Sequence, residues 1–189
     1  MYYIWLALSV LVALVLHELA HAFVSYKLGD PTPKSDGRLT LNPLKHLDLV
    51  GTICLVLFQF GWAKPVQINS RYYKNEKQGV LFVSLAGPVC NFIQAIIGSV
   101  LLKVIPVPML HDFLYTYITI NVGLGIFNLI PLPPLDGSKV LAAFLPDDKY
   151  YAFMRFEQYG MIILAIALWT GVLTPILSVL SGVVLGILL

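Results

Sequence analysis

Charge is what this chain has least of. Asp, Glu, Lys and Arg make up 12% of its 189 residues, against about 25% in a soluble domain. The apolar residues make up 58%, more than a soluble core of this size can hide, so lipid must cover part of the surface. Cysteine is scarce too. Cys54 and Cys90 both lie in apolar runs, and with no CxxC spacing they form neither a disulfide framework nor a thiolate metal site. They read as buried apolar thiols. A basic stripe with interleaved aromatics is missing, which excludes nucleic acid as a partner. The apolar N-terminus has no basic leader, so it reads as a retained membrane helix and not as a cleavable signal. Internal repeats and low-complexity segments are absent as well. One membrane-embedded domain over residues 1–189 is the natural count.

What is present is a series of apolar runs divided by polar ones. Tyr2 to Tyr26 is long enough to span a bilayer, which takes about 20 residues. Lys27 to His46 is polar and broken by Gly29, Asp30, Pro31, Pro33 and Gly37. Leu47 to Trp62, interrupted by Asp48 and Gly51, is marginal for a crossing and reads as a re-entrant segment. Val80 to Val104 and Phe113 to Ile130 are further membrane helices, the second stopped by Pro131, Pro133 and Pro134. Ser138 to Gln158 is mixed and interfacial, and Pro175 splits two short apolar runs, Tyr159–Thr174 and Ile176–Leu189. Gly37–Leu41 and Val66–Asn69 alternate apolar and polar residues like short strands. The fold class expected is an all-α, polytopic membrane bundle with a re-entrant segment and short strands between the first two full helices.

His17-Glu18-Leu19-Ala20-His21 is an HExxH motif. Residues four apart share a helix face, so both imidazoles can reach one metal, and Glu18 beside them can serve as general base toward water. Only four His are present, and shuffling this composition would yield the motif on the order of one time in a thousand. Ionisable groups inside a membrane helix are costly and usually functional. A catalytic zinc takes three protein ligands and keeps one open position. The candidates for the third are His46, Asp48, His111, Asp112, Asp136 and Glu157. Asp136 is the choice: it follows a proline-broken membrane helix and precedes Gly137, and irregular backbone at membrane depth is tolerated where it lines a cavity. Taken alone, an Asp-Gly pair is an ordinary turn; a membrane HExxH without a third ligand reverses those odds.

Three stretches resemble the site-2 protease family of intramembrane metalloproteases: His17–His21, Gly87-Pro-Val-Cys-Asn91, and Asn128-Leu-Ile-Pro-Leu-Pro-Pro-Leu-Asp136-Gly137. Asn42–Asp48 and Gly61–Pro65 resemble a compact subgroup without PDZ or CBS domains. The resemblance implies one Zn2+ per chain held by His17, His21 and Asp136, with Glu18 as base. It also implies that Asn91 lies near the zinc and helps hold the substrate or the oxyanion. An interhelical hydrogen bond is an equally good reading of Asn91. The implied substrate is a membrane-spanning or membrane-proximal protein segment, which must unwind before attack, and the short strands could receive it by strand addition.

Lys27, Lys34, Arg38 and Lys45 precede Leu47, while Lys64, Arg71, Lys74 and Lys77 follow Trp62. The positive-inside rule puts both segments in the cytoplasm of a bacterial-type plasma membrane. The motifs then meet in the cytoplasmic half of the bilayer, with His17 about 13 Å deep at 1.5 Å per residue. The rival reading is a membrane metal-binding or transport protein using the same His, His and Asp; it gives Glu18 no task.

Overall fold

The computed structural model describes residues 2–48, 51 and 63–189. Every regular element among them is helical. The first is α1 (Tyr2–Lys27), followed by the short α2 (Thr32–Ser35). Two long helices come next, α3 (Glu76–Val104) and α4 (Pro108–Leu129). The remainder is α5 (Asp136–Ala143), α6 (Asp147–Phe156), α7 (Gly160–Trp169) and α8 (Thr174–Leu188). Among the described residues, three runs are long and apolar enough to cross a membrane: Tyr2–Lys27, Glu76–Val104, and the continuous stretch Asp147–Trp169 formed by α6, a 3-10 turn and α7. The chain is an integral membrane protein.

Two boundaries differ from the sequence reading. Helix α3 begins at Glu76, four residues before Val80, because the Asn75 side chain caps it by accepting from the Gln78 amide. Helix α4 begins at Pro108, where a proline fits the first turn. It is about 33 Å long at 1.5 Å per residue, but it does not rank among the three apolar runs. Tyr117 and Asn121 face α3, where the Tyr117 hydroxyl donates to Gln94 Oε1 and Asn121 Oδ1 accepts from Asn91, while Asn128 donates back to the Leu124 carbonyl of its own helix. The stretch from Asp147 takes the third place, overlapping the second half of Ser138–Gln158, although its first helix carries Asp147, Asp148, Lys149 and Arg155.

Helices α1, α3 and α4 pack as a trio, with α8 laid against α4 and α3. Ala95, Ile118, Val122 and Ile126 form the centre, with Phe92, Leu102, Leu177 and Leu185 around them. Outward faces stay apolar: Phe82, Ile93, Ile96 and Val100 on α3 and Val179, Val183 and Ile187 on α8 are exposed. In water such a surface would aggregate; in lipid it is the solvent-facing side.

The expected short strands do not form among the described residues. In place of a ladder there is an isolated antiparallel bridge between Leu47 and Ala63. The reason is competition for the backbone. The Arg38 guanidinium takes the carbonyls of Lys64 and Pro65, Asp30 takes the Asn69 amide, and Pro65 has no N–H to give. The re-entrant reading of Leu47–Trp62 falls, apart from Leu47, Asp48 and Gly51, on residues outside the described ones.

Candidate active site

Helix α1 carries both histidines on one face, one turn apart, with His17 only 4% exposed. Each ring is oriented by its Nδ1. The His21 Nδ1–H donates to the Val83 carbonyl at 2.6 Å, and the His17 Nδ1–H donates to Asn91 Oδ1 at 2.6 Å. The Asn91 amide is itself oriented, because its Nδ2 donates to Asn121 Oδ1 at 2.9 Å and to the Ala13 carbonyl at 3.4 Å. With the ring protons on Nδ1, both Nε2 atoms present lone pairs, and they face each other 3.0 Å apart. Helix α3 comes this close because residue 87 is glycine: a Cβ there would land on both imidazole rings.

Asp136 completes the group. Prolines stop α4 after Leu129, and the chain turns so that α5 starts at Asp136. The turn is tight, since a Cβ on Gly137 would strike the carbonyls of Leu129 and Ile130. Asp136 Oδ2 lies 3.3 Å from His17 Nε2 and 3.2 Å from His21 Nε2. It is buried and has no hydrogen-bond partner. Two lone pairs and an unsatisfied carboxylate oxygen converge, an arrangement that repels itself unless a cation sits among them. A tetrahedral zinc at about 2.0–2.1 Å from each ligand sets neighbouring donors about 3.3 Å apart. The observed separations of 3.0 to 3.3 Å fit that ion. Among the described residues, these three form the one group of His, Cys, Asp and Glu suited to a metal.

The other ligand candidates lie elsewhere. His111 and Asp112 line a separate hollow at the α3–α4 turn, beside Lys103 and Pro106. Glu157 pairs with Lys139 at 3.2 Å. His46 is buried and donates from Nε2 to the Thr40 carbonyl at 2.8 Å, while its own carbonyl accepts from the Lys64 amide. Asp48 accepts from the Gly51 amide at 2.7 Å.

A cavity of about 170 Å³ opens over the three donors. Glu18 lines it, as do Ser84, Asn128 and Lys139. Its apolar wall comprises Pro65, Val66, Ile68, Val83 and Pro134. Asn91 stands behind His17, on the Nδ1 side, with both amide protons committed to Asn121 and Ala13.

The sequence model of peptidase family M50 matches residues 106–170. The Bacillus subtilis (strain 168) protein named "Putative zinc metalloprotease YwhC" is 40% identical over 188 residues, covering 92% of this chain and 86% of the relative. The chain belongs to peptidase family M50, the site-2 proteases. "Putative zinc metalloprotease Rip2" of Mycolicibacterium smegmatis is 30% identical across 86% of this chain and 66% of its own length. A zinc metalloprotease of Methanocaldococcus jannaschii is 29% identical across 80% of this chain, which spans 37% of that protein. No solved structure matches. Within this site-2 protease, Asn121, Ser84 and Lys139 escaped the sequence reading. Lys139 carried a usable signal, lying three residues after Asp136 on the same helix face. Asn121 carried none, for a lone Asn in an apolar run gives no hint of its partner.

Proposed function

We propose that this chain is a zinc metalloprotease that hydrolyses peptide bonds of membrane-spanning or membrane-proximal segments, working within one membrane domain over residues 1–189. The observation that carries the reading is the convergence of His17 Nε2, His21 Nε2 and the orphaned Asp136 Oδ2 on one point beside Glu18. His17, His21 and Asp136 are the ligands of one Zn2+, which when bound acidifies water and polarises the scissile carbonyl. Glu18 accepts the proton of the attacking water and passes it to the leaving amine. Asn91 fixes the His17 ring with its proton on Nδ1, so that Nε2 stays free to ligate. Asn128, which lines the cavity and commits one N–H to the Leu124 carbonyl, supplies a neutral donor for the developing oxyanion.

The site faces the cytoplasm of a bacterial-type plasma membrane in this reading. The two basic segments meet at one end of the bundle, where Arg38 reaches the carbonyls of Lys64 and Pro65 and Ser25 reaches Tyr73. The bridge between Leu47 and Ala63 joins the two segments at the same end. A transport role leaves Glu18 without a task, and the relatives' names speak for hydrolysis. The test is cleavage of a model membrane-spanning substrate by the purified chain in bilayers. Activity should vanish on chelation and return with zinc; cleavage indifferent to chelator would overturn the reading.

A further inference from the structure

One wall of the cavity is held in an unusual way. Pro65, Val66 and Ile68 border it, yet the segment from Lys64 to Asn69 belongs to no helix or strand. A short extended stretch beside lipid and water would ordinarily fray. Here two buried charged side chains grip its ends. Arg38, 3% exposed, donates from Nη1 to the Lys64 carbonyl at 3.2 Å and from Nη2 to the Pro65 carbonyl at 2.8 Å, and its Nη1 also reaches the Lys45 carbonyl. Asp30, 0% exposed, accepts from the Asn69 amide at 2.7 Å, while its other contacts, the Ser25 hydroxyl and the Thr32 amide, tie it to the end of α1 and the start of α2. Ser25 in turn meets the Tyr73 hydroxyl at 2.7 Å, just before α3. Burying a charge is costly unless hydrogen bonds replace its water, and here the carbonyls of Lys64 and Pro65 and the amide of Asn69 supply half of the replacements.

We propose that Arg38 and Asp30 clamp the Lys64–Asn69 segment in place as a specificity wall, on which Val66 selects a small or medium aliphatic side chain of the substrate next to the scissile bond. The side chains alternate along the segment: Gln67 is exposed, whereas Val66 and Ile68 are half-buried toward the cavity. Ile68 is itself anchored against Tyr73, Val80 and Val83, which leaves Val66 as the adjustable surface. Val83 and Pro134 add to the apolar lining, and a cavity of about 170 Å³ has room for one aliphatic side chain and not for a folded helix. Arg38 and Asp30 are positioning residues; Val66 meets the substrate.

The proposal rests on the metal centre assigned above, and the experiment separates the two. Membrane-spanning peptides differing only in Ala, Leu or Phe beside the cleavage site are offered to the full chain and to Val66→Ala and Val66→Phe, with zinc content measured in each. Zinc should stay at the wild-type level. The kcat/KM ratio for Phe over Ala should rise about tenfold in Val66→Ala and fall in Val66→Phe, as expected for adding or removing methylene-sized space. Arg38→Lys, which keeps the charge but loses the planar fork, should speed amide exchange of Val66 to Asn69 and raise KM with little change in kcat. Unchanged ratios in zinc-loaded, active variants would overturn the specificity wall alone. Unchanged exchange in Arg38→Lys and in Arg38→Met would overturn the clamp. A wild-type chain that cuts none of the peptides would overturn the protease reading and the wall with it.

Discussion

His17 Nδ1 lies 2.6 Å from Asn91 Oδ1, and Asn91 Nδ2 lies 2.9 Å from Asn121 Oδ1, so one hydrogen-bonded line crosses α1, α3 and α4. It continues to the Tyr117 carbonyl, which accepts from Asn121 Nδ2 at 3.0 Å. Because each amide has its oxygen and nitrogen fixed by a neighbour, the tautomer of His17, the proposed ligand, is set from the far side of the bundle.

Asn91→Leu should therefore weaken zinc binding about 10- to 100-fold, the usual cost of losing a residue that orients a metal ligand. Competition with a chelator of known affinity measures it. Asn121→Leu should do the same to a smaller extent. Full zinc affinity with lowered turnover alone would mean that Asn91 acts on the substrate, not through His17.

Gly87→Ala tests the close approach of α3 to α1. The added methyl falls on both imidazoles, and overpacking of this kind costs about 1–3 kcal/mol. The expected outcome is a lower thermal midpoint in detergent together with loss of zinc. Gly182→Ala, on α8 with open space around it, is the matched control and should change neither.

Asp30 gives a pH dependence with a definite sign. Burial alone would raise its pKa, but the hydrogen bonds from Thr32, Asn69 and Ser25 outweigh burial and hold the carboxyl below its ordinary value. A group with a depressed folded pKa stabilises fully above its unfolded pKa, about 4, and loses that stabilisation as pH falls through the folded value. The gap in thermal midpoint between wild type and Asp30→Asn should thus be constant from pH 5 to 8, as order-of-magnitude bounds, and narrow in stronger acid. A gap that grows on acidification would contradict the hydrogen-bonded carboxylate.

Much of the site could be read without coordinates because its chemistry is local. His17 and His21 are one helical turn apart, and the Leu-Asp-Gly turn after three prolines marks its own break. Arg38 could not be read. In a polar stretch with Lys34 and Lys45 it looks like one more interfacial cation, and only long-range carbonyls reveal that it is buried. The same bonds explain the failed strand reading, since alternation in Val66–Asn69 reflects a wall with one side to a cavity and not a ladder partner. The role of Asn121 was equally invisible, because its partner lies 30 residues away on another helix.

Topology can be checked in a background lacking Cys54 and Cys90. Ser35→Cys and Asn75→Cys should both be shielded from a membrane-impermeant thiol reagent in intact cells and labelled in inverted vesicles. Labelling from opposite sides would separate the two segments that Arg38 and Asp30 hold together.

The most direct test of the metal centre is zinc content set against cleavage in three purified proteins: wild type, Glu18→Gln and Asp136→Ala. Wild type should carry about one zinc per chain and cleave. Glu18→Gln should keep the zinc and lose cleavage, the outcome expected if Glu18 moves protons and does not ligate. Asp136→Ala should lose both. Normal zinc in Asp136→Ala, or zinc lost in Glu18→Gln, would contradict the assignment.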